Sequence, residues 1–342
     1  MSRKALCFIL LTLLVAPVSP LAAQATIPLD AHARACHRQG GSQRQVMPLS
    51  DAILLKSLDD VDAYLARIDQ PSTRDDDLRR ELARIRLVVP EAERLRGIDP
   101  FVPAYRKVVL ELLEGIRGSV YTTEREGLDI DVENELRWGF PYGTQSFATV
   151  GSYLIAYGHL IRTMQLPSGA EILELGCGTG SLSQHLARMG YRLTCVDLNE
   201  SNLELIRRST ASFAVSAATL RADLNDFEPD HPVDAVVFFE SLHHCLNHAT
   251  LLERAEHWLK PNGILVLGAE PILPTEVPIL PYPWGPRLDG ESLRAIRRFG
   301  WMELGFTEPY LFTLLERTGW RWERFRSAES HWADVIVARR SA

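Results

Sequence analysis

Residues 171–180 read Glu-Ile-Leu-Glu-Leu-Gly-Cys-Gly-Thr-Gly, an apolar run that ends in three closely spaced glycines. This pattern predicts a buried strand followed by a loop in which missing Cβ atoms let backbone N–H groups approach a ligand. A second apolar run, residues 193–197, ends in Asp197. Because a carboxylate at the tip of the next strand can accept hydrogen bonds from two ribose hydroxyls, the two runs together predict a nucleoside site.

The spacing of the glycines narrows the choice of ligand. It is GxGxG, whereas dinucleotide-binding folds carry GxGxxG, whose third glycine helps to present a helix N-terminus to a pyrophosphate. Nothing here marks an anion site, and Glu174 directly before the loop would repel an anion. A cationic nucleoside without phosphate groups therefore fits better.

With these residues in view, the sequence resembles the class I S-adenosylmethionine-dependent methyltransferases, whose first motif is an acidic residue followed by GxGxG. Residues 193–197 resemble the second strand of that family, with its ribose-binding acid. Ala222-Asp223-Leu224 resembles its adenine contact, and residues 233–240 resemble its fourth strand. Leu259-Lys260-Pro261-Asn262-Gly263 resembles the turn into the fifth strand. The resemblance covers roughly residues 145–340.

The resemblance implies S-adenosyl-L-methionine as the cofactor and assigns residues that bind it. We expect these contacts from Glu174, Gly176, Cys177, Gly178, Gly180, Asp197, Leu198, Asp223, Leu224 and Glu240.

The predicted fold class is α/β, a Rossmann-like seven-stranded methyltransferase sheet with an N-terminal helical region. Strands alternate with helices between residues 170 and 270, which predicts a parallel sheet with helices on both faces. Two extended runs follow, residues 320–326 and 332–339. The resemblance implies that they form an antiparallel hairpin at the edge of the sheet, which a dehydrogenase fold would not have.

The chain divides into four predicted parts. Residues 1–25 resemble a secretory signal, residues 26–48 a linker, residues 49–144 a helical region, and residues 145–342 the methyltransferase domain with an insertion at 270–306. S-adenosylmethionine is held in the cytoplasm, so we expect a cytoplasmic catalytic domain. The signal-like segment conflicts with this, and two interpretations stay open: a genuine export or anchoring signal, or an artefactual extension ahead of a true start at Met47.

Composition narrows the class of partner. With 46% apolar and 24% charged residues, the 342-residue chain is typical of a globular protein. Its net charge of −7 argues against nucleic-acid binding and favours a small-molecule or saccharide substrate. The apolar N-terminal stretch is too short for a comfortable membrane span, so no stable membrane insertion is expected. The sequence leaves the oligomeric state open.

The predicted catalytic residues are His243 and His244, which follow the fourth strand. Histidine is the natural base near neutral pH, so either could deprotonate a hydroxyl; a helix-capping or loop-bonding role is the alternative. No metal is expected, because no clustered Asp or Asn accompanies the pair.

The acceptor is constrained by absent motifs. The Asp/Asn-Pro-Pro-aromatic motif of nucleic-acid amino-methylating enzymes is missing at residues 240–243. We therefore expect transfer to a small molecule or saccharide, at a hydroxyl oxygen. An NAD-dependent dehydrogenase and a non-catalytic S-adenosylmethionine-binding protein are the alternatives. Tyr142, Trp284 and Trp301 could contact the acceptor. Tyr142 could equally pack at the junction between domains, and tryptophans such as Trp284 and Trp301 are more often packing residues.

Overall fold

The computed structural model describes residues 52–70, 72–137 and 144–341, all within one compact unit, Gly41–Ala342. The signal-like segment, the linker and Tyr142 lie outside the described residues. Within these ranges, no helix has both the length and the apolar character that crossing a membrane requires.

The strands and helices follow the predicted alternation. The strands are β1 (Ile53–Leu55), β2 (Ile85–Leu87), β3 (Glu171–Leu175), β4 (Arg192–Asp197), β5 (Ala218–Arg221), β6 (Val233–Phe239), β7 (Leu259–Gly268), β8 (Ile272–Leu273), β9 (Trp284–Pro286), β10 (Leu304–Thr307), β11 (Trp320–Arg326) and β12 (Asp334–Arg340). The α-helices are α1 (Leu58–Ile68), α2 (Asp75–Arg84), α3 (Pro103–Arg117), α4 (Val132–Arg137), α5 (Phe147–Met164), α6 (Ser181–Arg188), α7 (Glu200–Ser212), α8 (His248–Ala255), α9 (Gly290–Arg294) and α10 (Glu308–Arg317).

The central sheet has seven strands in the order β11-β12-β7-β6-β3-β4-β5. Strands β3 to β7 are parallel to their neighbours, and β12 runs antiparallel to both β7 and β11. This confirms the predicted seven-stranded sheet and its C-terminal hairpin. The chain order reverses between β3 and β6, and ligands of open α/β sheets bind where the order reverses, beyond the carboxyl ends of the strands.

Successive side chains along each strand point to opposite faces of the sheet, and each face packs against other elements. On one face Ile172 and Val237 pack against α5, α6 and α7. On the other, Leu173 and Val236 belong to a core that extends into the N-terminal region and the insertion. The sheet is therefore held between two hydrophobic layers.

The N-terminal region and the insertion build a joint cover, which we call the cap (residues 53–117 and 272–307). In it β1 pairs with β2, and β8, β10 and β9 form a three-stranded sheet. The Leu87 N–H donates to the carbonyl of Leu288 at 3.0 Å, and the Tyr105 hydroxyl donates to the carbonyl of Trp284 at 2.9 Å. The region is less helical than its sequence predicts, since α2 ends at Arg84 and the chain continues directly as β2.

Candidate active site

The glycine loop follows β3 and has left-handed backbone at Gly176, Gly178 and Gly180, with φ angles of 68°, 51° and 79°. A Cβ at Gly180 would lie 2.3 Å from Cγ1 of Ile206 on α7, so this glycine permits close packing of α6 and α7. A Cβ at Gly178 would meet nothing within 4 Å. Gly178 therefore faces open space, where a ligand can approach the backbone.

Asp197 at the end of β4 ties the loop to the next strand. Its Oδ2 accepts a hydrogen bond from the Gly178 N–H at 2.8 Å, and its Oδ1 accepts one from the Asn199 N–H at 2.9 Å. Carboxylate oxygens have further lone pairs, so Asp197 keeps acceptor capacity for ligand hydroxyls.

A cavity of about 350 Å³ lies over this loop; we call it the glycine-loop cavity. Of the residues predicted to bind the cofactor, the structure brings together Gly176, Gly178, Asp197, Leu198, Asp223, Leu224 and Glu240 in its wall. Its far side is formed by residues that the sequence did not reveal. Tyr121, Glu126, Leu128 and Ile130 come from a segment between α3 and α4 that has no periodic pattern or motif.

Glu174, Cys177 and Gly180 do not line this cavity. The Glu174 side chain is buried, and its Oε2 accepts a hydrogen bond from the Ser183 hydroxyl on α6 at 2.7 Å. Burial raises the pKa of Glu174 to about 7. Cys177 is buried as well. In this structure Glu174 and Gly180 hold the loop against α6 and α7, and cofactor contacts of the three residues stay a prediction.

A larger cavity of about 810 Å³ lies between the cap and the sheet. Its wall is rich in charge, with both signs present. The charged side chains in it include Asp75, Arg79, Arg86, Arg287, Asp289, Glu291, Arg294 and Glu303. Glu240, His244 and Trp301 line both cavities, so the two spaces meet at these side chains.

His243 is oriented by Glu270, a residue that directly follows β7 and that the sequence reasoning did not single out. Glu270 Oε1 accepts the N–H groups of Ser241 at 3.0 Å and Leu242 at 2.9 Å. Its Oε2 accepts the His243 N–H at 3.2 Å and lies 2.9 Å from His243 Nδ1. Glu270 has no exposed side-chain surface, and burial raises its pKa even though these N–H donors lower it. One carboxylate thus fixes both the loop and the imidazole.

His244 is held in the same way by a different glutamate. Its Nδ1 lies 3.1 Å from Oε2 of Glu126, whose Oε1 accepts the Met302 N–H at 2.7 Å. Burial alone would lower the pKa of His244, but the hydrogen bond to Glu126 and the nearby charges of Glu303 and Glu270 raise it to about 9. His244 is therefore largely protonated at neutral pH in this arrangement.

Glu303, the residue directly before β10, completes a cluster with the two histidines. Its Oε2 lies 3.9 Å from His243 Nε2 and forms an ion pair with Arg287. One ring nitrogen of each histidine and one oxygen of Glu303 lie within 4.8 Å of one another.

The two tryptophans of the insertion have different environments. Trp284 is buried, its ring lies 5.3 Å from that of Tyr105 and 4.7 Å from that of His248, and it lines neither cavity. In this structure Trp284 thus packs within the cap, and its role as a substrate contact stays a prediction. Trp301 lines both cavities, and its buried Nε1 has no hydrogen-bond partner among the described residues.

Glu240 occupies a strained position at the junction. It has a φ of +50°, which non-glycine residues rarely adopt, and its Oε2 accepts a hydrogen bond from the Tyr153 hydroxyl at 2.8 Å. Its N–H donates to the carbonyl of Gly268 on the neighbouring strand at 3.0 Å. These contacts turn the backbone after β6 so that the carboxylate reaches both cavities.

The strand order, the glycine loop, and the acidic residues at the end of β4 and shortly after β5 are those that the resemblance to the class I S-adenosylmethionine-dependent methyltransferases implies. Comparison with known proteins agrees: residues 172–263 match the family model described as a methyltransferase domain.

The curated relatives match only part of the chain. A ubiquinone biosynthesis O-methyltransferase of Xylella fastidiosa (strain 9a5c) is 33% identical over 100 residues, 29% of this chain and 41% of the relative. The protein of the same name from Bradyrhizobium diazoefficiens is 26% identical over 107 residues, 31% of this chain and 42% of the relative. The chain thus spans about two fifths of the length of these relatives.

Among solved structures, the N-methyltransferase NodS from Bradyrhizobium japonicum WM9, in complex with S-adenosylhomocysteine, is 19% identical with a TM-score of 0.40. The match covers 60% of this chain and 94% of NodS. A likeness of this size carries no information on the acceptor.

Proposed function

We propose that this protein transfers the methyl group of S-adenosylmethionine to a hydroxyl oxygen of a polar small molecule or saccharide. The observation that carries the proposal is the meeting of the two cavities at Glu240, His244 and Trp301. Methyl transfer is an in-line displacement, so it needs a cofactor space and an acceptor space that share one opening.

The glycine-loop cavity suits the cofactor. Asp197 would receive the ribose hydroxyls, and Asp223 with Leu224 would contact the adenine. Asp197, Asp223, Glu240 and Glu126 give the wall four acidic side chains. Such a wall favours a sulfonium cation over a dinucleotide, whose pyrophosphate is anionic.

The larger cavity suits a polar acceptor. Its charged wall offers donors and acceptors of hydrogen bonds, whereas an isoprenoid chain would need an apolar surface. In the reaction the C–S bond of the sulfonium breaks and a C–O bond forms, while the acceptor hydroxyl loses its proton. We propose His243 and His244 as the catalytic residues. His243 lines the larger cavity and would take this proton, and His244, protonated beside Glu126, would place a positive charge near the acceptor oxygen. The names of the curated relatives, O-methyltransferases, support oxygen as the acceptor atom.

Titration calorimetry with S-adenosylmethionine, S-adenosylhomocysteine and NAD tests the cofactor. We expect binding of the first two and no heat from NAD. Binding of NAD alone would support the dehydrogenase alternative and refute the proposal.

Release of S-adenosylhomocysteine, measured against a panel of sugars, hydroxy acids and phenols, tests the chemistry. A His243→Ala/His244→Ala double variant should keep its affinity for S-adenosylhomocysteine and lose turnover, while His231→Gln, a substitution of an exposed histidine, should leave turnover unchanged. Unchanged turnover in the double variant would remove the catalytic assignment. Absence of turnover with every class of acceptor would favour the non-catalytic binding protein.

We further propose that catalysis takes place in the cytoplasm, where the cofactor is made. N-terminal sequencing of the mature native protein tests this, because cleavage after residue 25 would place the domain outside the cytoplasm.

A further inference from the structure

We propose that His243, His244 and Glu303 bind one divalent transition-metal ion at the opening between the two cavities. The inference rests on the proposed function, and it adds how the acceptor oxygen is received there: as a further ligand of the ion. Two imidazoles, one carboxylate and an open position form a donor set that zinc and other first-row divalent ions take in proteins.

The distances are close to those of a metal site. Two ligand atoms at about 2.1 Å from one ion and at the tetrahedral angle stand about 3.4 Å apart. His243 Nε2 and Glu303 Oε2 are 3.9 Å apart, and the three donor atoms lie within 4.8 Å of one another. Small side-chain rotations, which move each donor atom by less than the length of a carbon–carbon bond, would therefore bring all three donor atoms onto one ion.

The hydrogen bonds around the histidines favour the tautomer that metal binding requires, in which Nδ1 carries the proton and Nε2 the lone pair. Glu270 accepts three backbone N–H groups, so it acts as an acceptor toward His243 Nδ1 as well, which leaves the lone pair on Nε2. His244 Nδ1 faces Glu126 in the same manner. A carboxylate behind each imidazole is the usual arrangement around metal-binding histidines, because it orients the ring and strengthens it as a ligand.

The balance of charge also favours a dication. Glu126, Glu270 and Glu303 are all at least 87% buried at the side chain, and Arg287 is the positive partner of Glu303. A divalent cation at the two imidazoles would therefore have more carboxyl groups than positively charged side chains around it.

A bound ion would supply a specific part of the chemistry. An ion held by His243, His244 and Glu303 would lower the pKa of a hydroxyl that ligates it, so that the hydroxyl could release its proton to solvent. The oxygen would then form a C–O bond with the methyl carbon as the C–S bond breaks, and S-adenosylhomocysteine would leave as a neutral thioether, so no oxidant or reductant is needed. Glu240 and Trp301 would border the reacting atoms.

The test is calorimetry on the untagged full-length protein after chelation and dialysis, with ZnCl₂ and MnCl₂ as probes and MgCl₂ as a comparison. We expect one equivalent of zinc or manganese, and little binding of magnesium, which prefers oxygen ligands. His243→Ala and Glu303→Gln should each weaken binding by about tenfold or more, and Glu270→Gln, which removes only the orienting carboxylate, by about tenfold. The matched control His231→Gln should bind like the unmodified protein.

Zinc and manganese binding that persists in the His243→Ala/His244→Ala variant, or that is absent from the unmodified protein, would overturn the proposal. Each variant is first checked for thermal unfolding and for S-adenosylhomocysteine affinity; if His243→Ala fails to fold, His244→Ala, at the more exposed position, provides the test. Methyl transfer that is equally fast after chelation would refute the metal while the proposed function stands. Metal binding without S-adenosylmethionine binding would refute the function alone.

Discussion

The buried carboxyl of Glu174 makes a prediction about stability that can be worked out from its surroundings. Its pKa rises from 4.5 to about 7 on folding, because burial disfavours the charged form. A folded pKa above the unfolded value means that folding favours the neutral acid. The stability contributed by this preference is present below pH 4.5 and is lost as the pH rises through about 7.

Glu174→Gln keeps an oxygen that can accept from the Ser183 hydroxyl and removes the charge. A shift of 2.5 pKa units corresponds to about 3 kcal/mol, so the variant should be more stable than the unmodified protein by up to that amount above pH 7. The difference should vanish near pH 4.5. For a domain of this size, a stability difference of about 3 kcal/mol corresponds to a rise of about 5 °C in Tm.

Urea unfolding across this pH range measures the effect, with Glu253→Gln, at an exposed position on α8, as the control. Because Glu174 does not line the glycine-loop cavity, the affinity for S-adenosylhomocysteine should change little. A variant that is less stable at every pH, or whose gain does not depend on pH, would refute this reasoning.

Three further predictions use the same two assays. Asp197→Asn should raise the Kd for S-adenosylhomocysteine about tenfold or more, since an amide cannot accept bonds from the Gly178 N–H and two ribose hydroxyls together; an unchanged Kd would contradict the ribose assignment. Gly180→Ala should cost about 1–3 kcal/mol through its clash with Ile206, whereas Gly178→Ala should cost less stability and weaken cofactor binding more. Burial lowers the pKa of His248 from 6.5 to about 4, so the free energy of unfolding should fall by about 3 kcal/mol as the pH drops from 6.5 to 4. His248→Gln should flatten this pH dependence, and an equal slope in both proteins would exclude His248 as its cause.

The cofactor half of the site is predictable from sequence because its signals are local. Each part is a strand and the few residues after it, as at Gly178 and Asp197, and the sheet alone brings the strand ends together. The parallel strands and the C-terminal hairpin are predictable for the same reason, since each is a short apolar run with its own turn residues.

The residues on the acceptor side of the site come from segments that are far apart in the sequence, so the sequence predicts them only in part. The groups that fix the histidines, Glu126 and Glu270, come from segments 118 and 27 residues away. In sequence, no clustered Asp or Asn accompanies the histidine pair to suggest a metal, and Trp284 looks as available as Trp301. Only packing separates the two tryptophans, because one turns toward the core of the cap and the other toward the cavities.

The cap joins residues that are synthesised far apart in time. Leu82 and Ile85 lie against Gly290, where a Cβ would come within 2.3 Å of the Leu82 carbonyl oxygen. At about 5–20 residues per second, a ribosome needs roughly 10–40 s to make the 200 or so residues between them. During that interval the apolar face of the N-terminal helices has no cover. The growing chain should therefore depend on chaperones until β10 is made, and truncations within the insertion should aggregate rather than yield an uncapped enzyme.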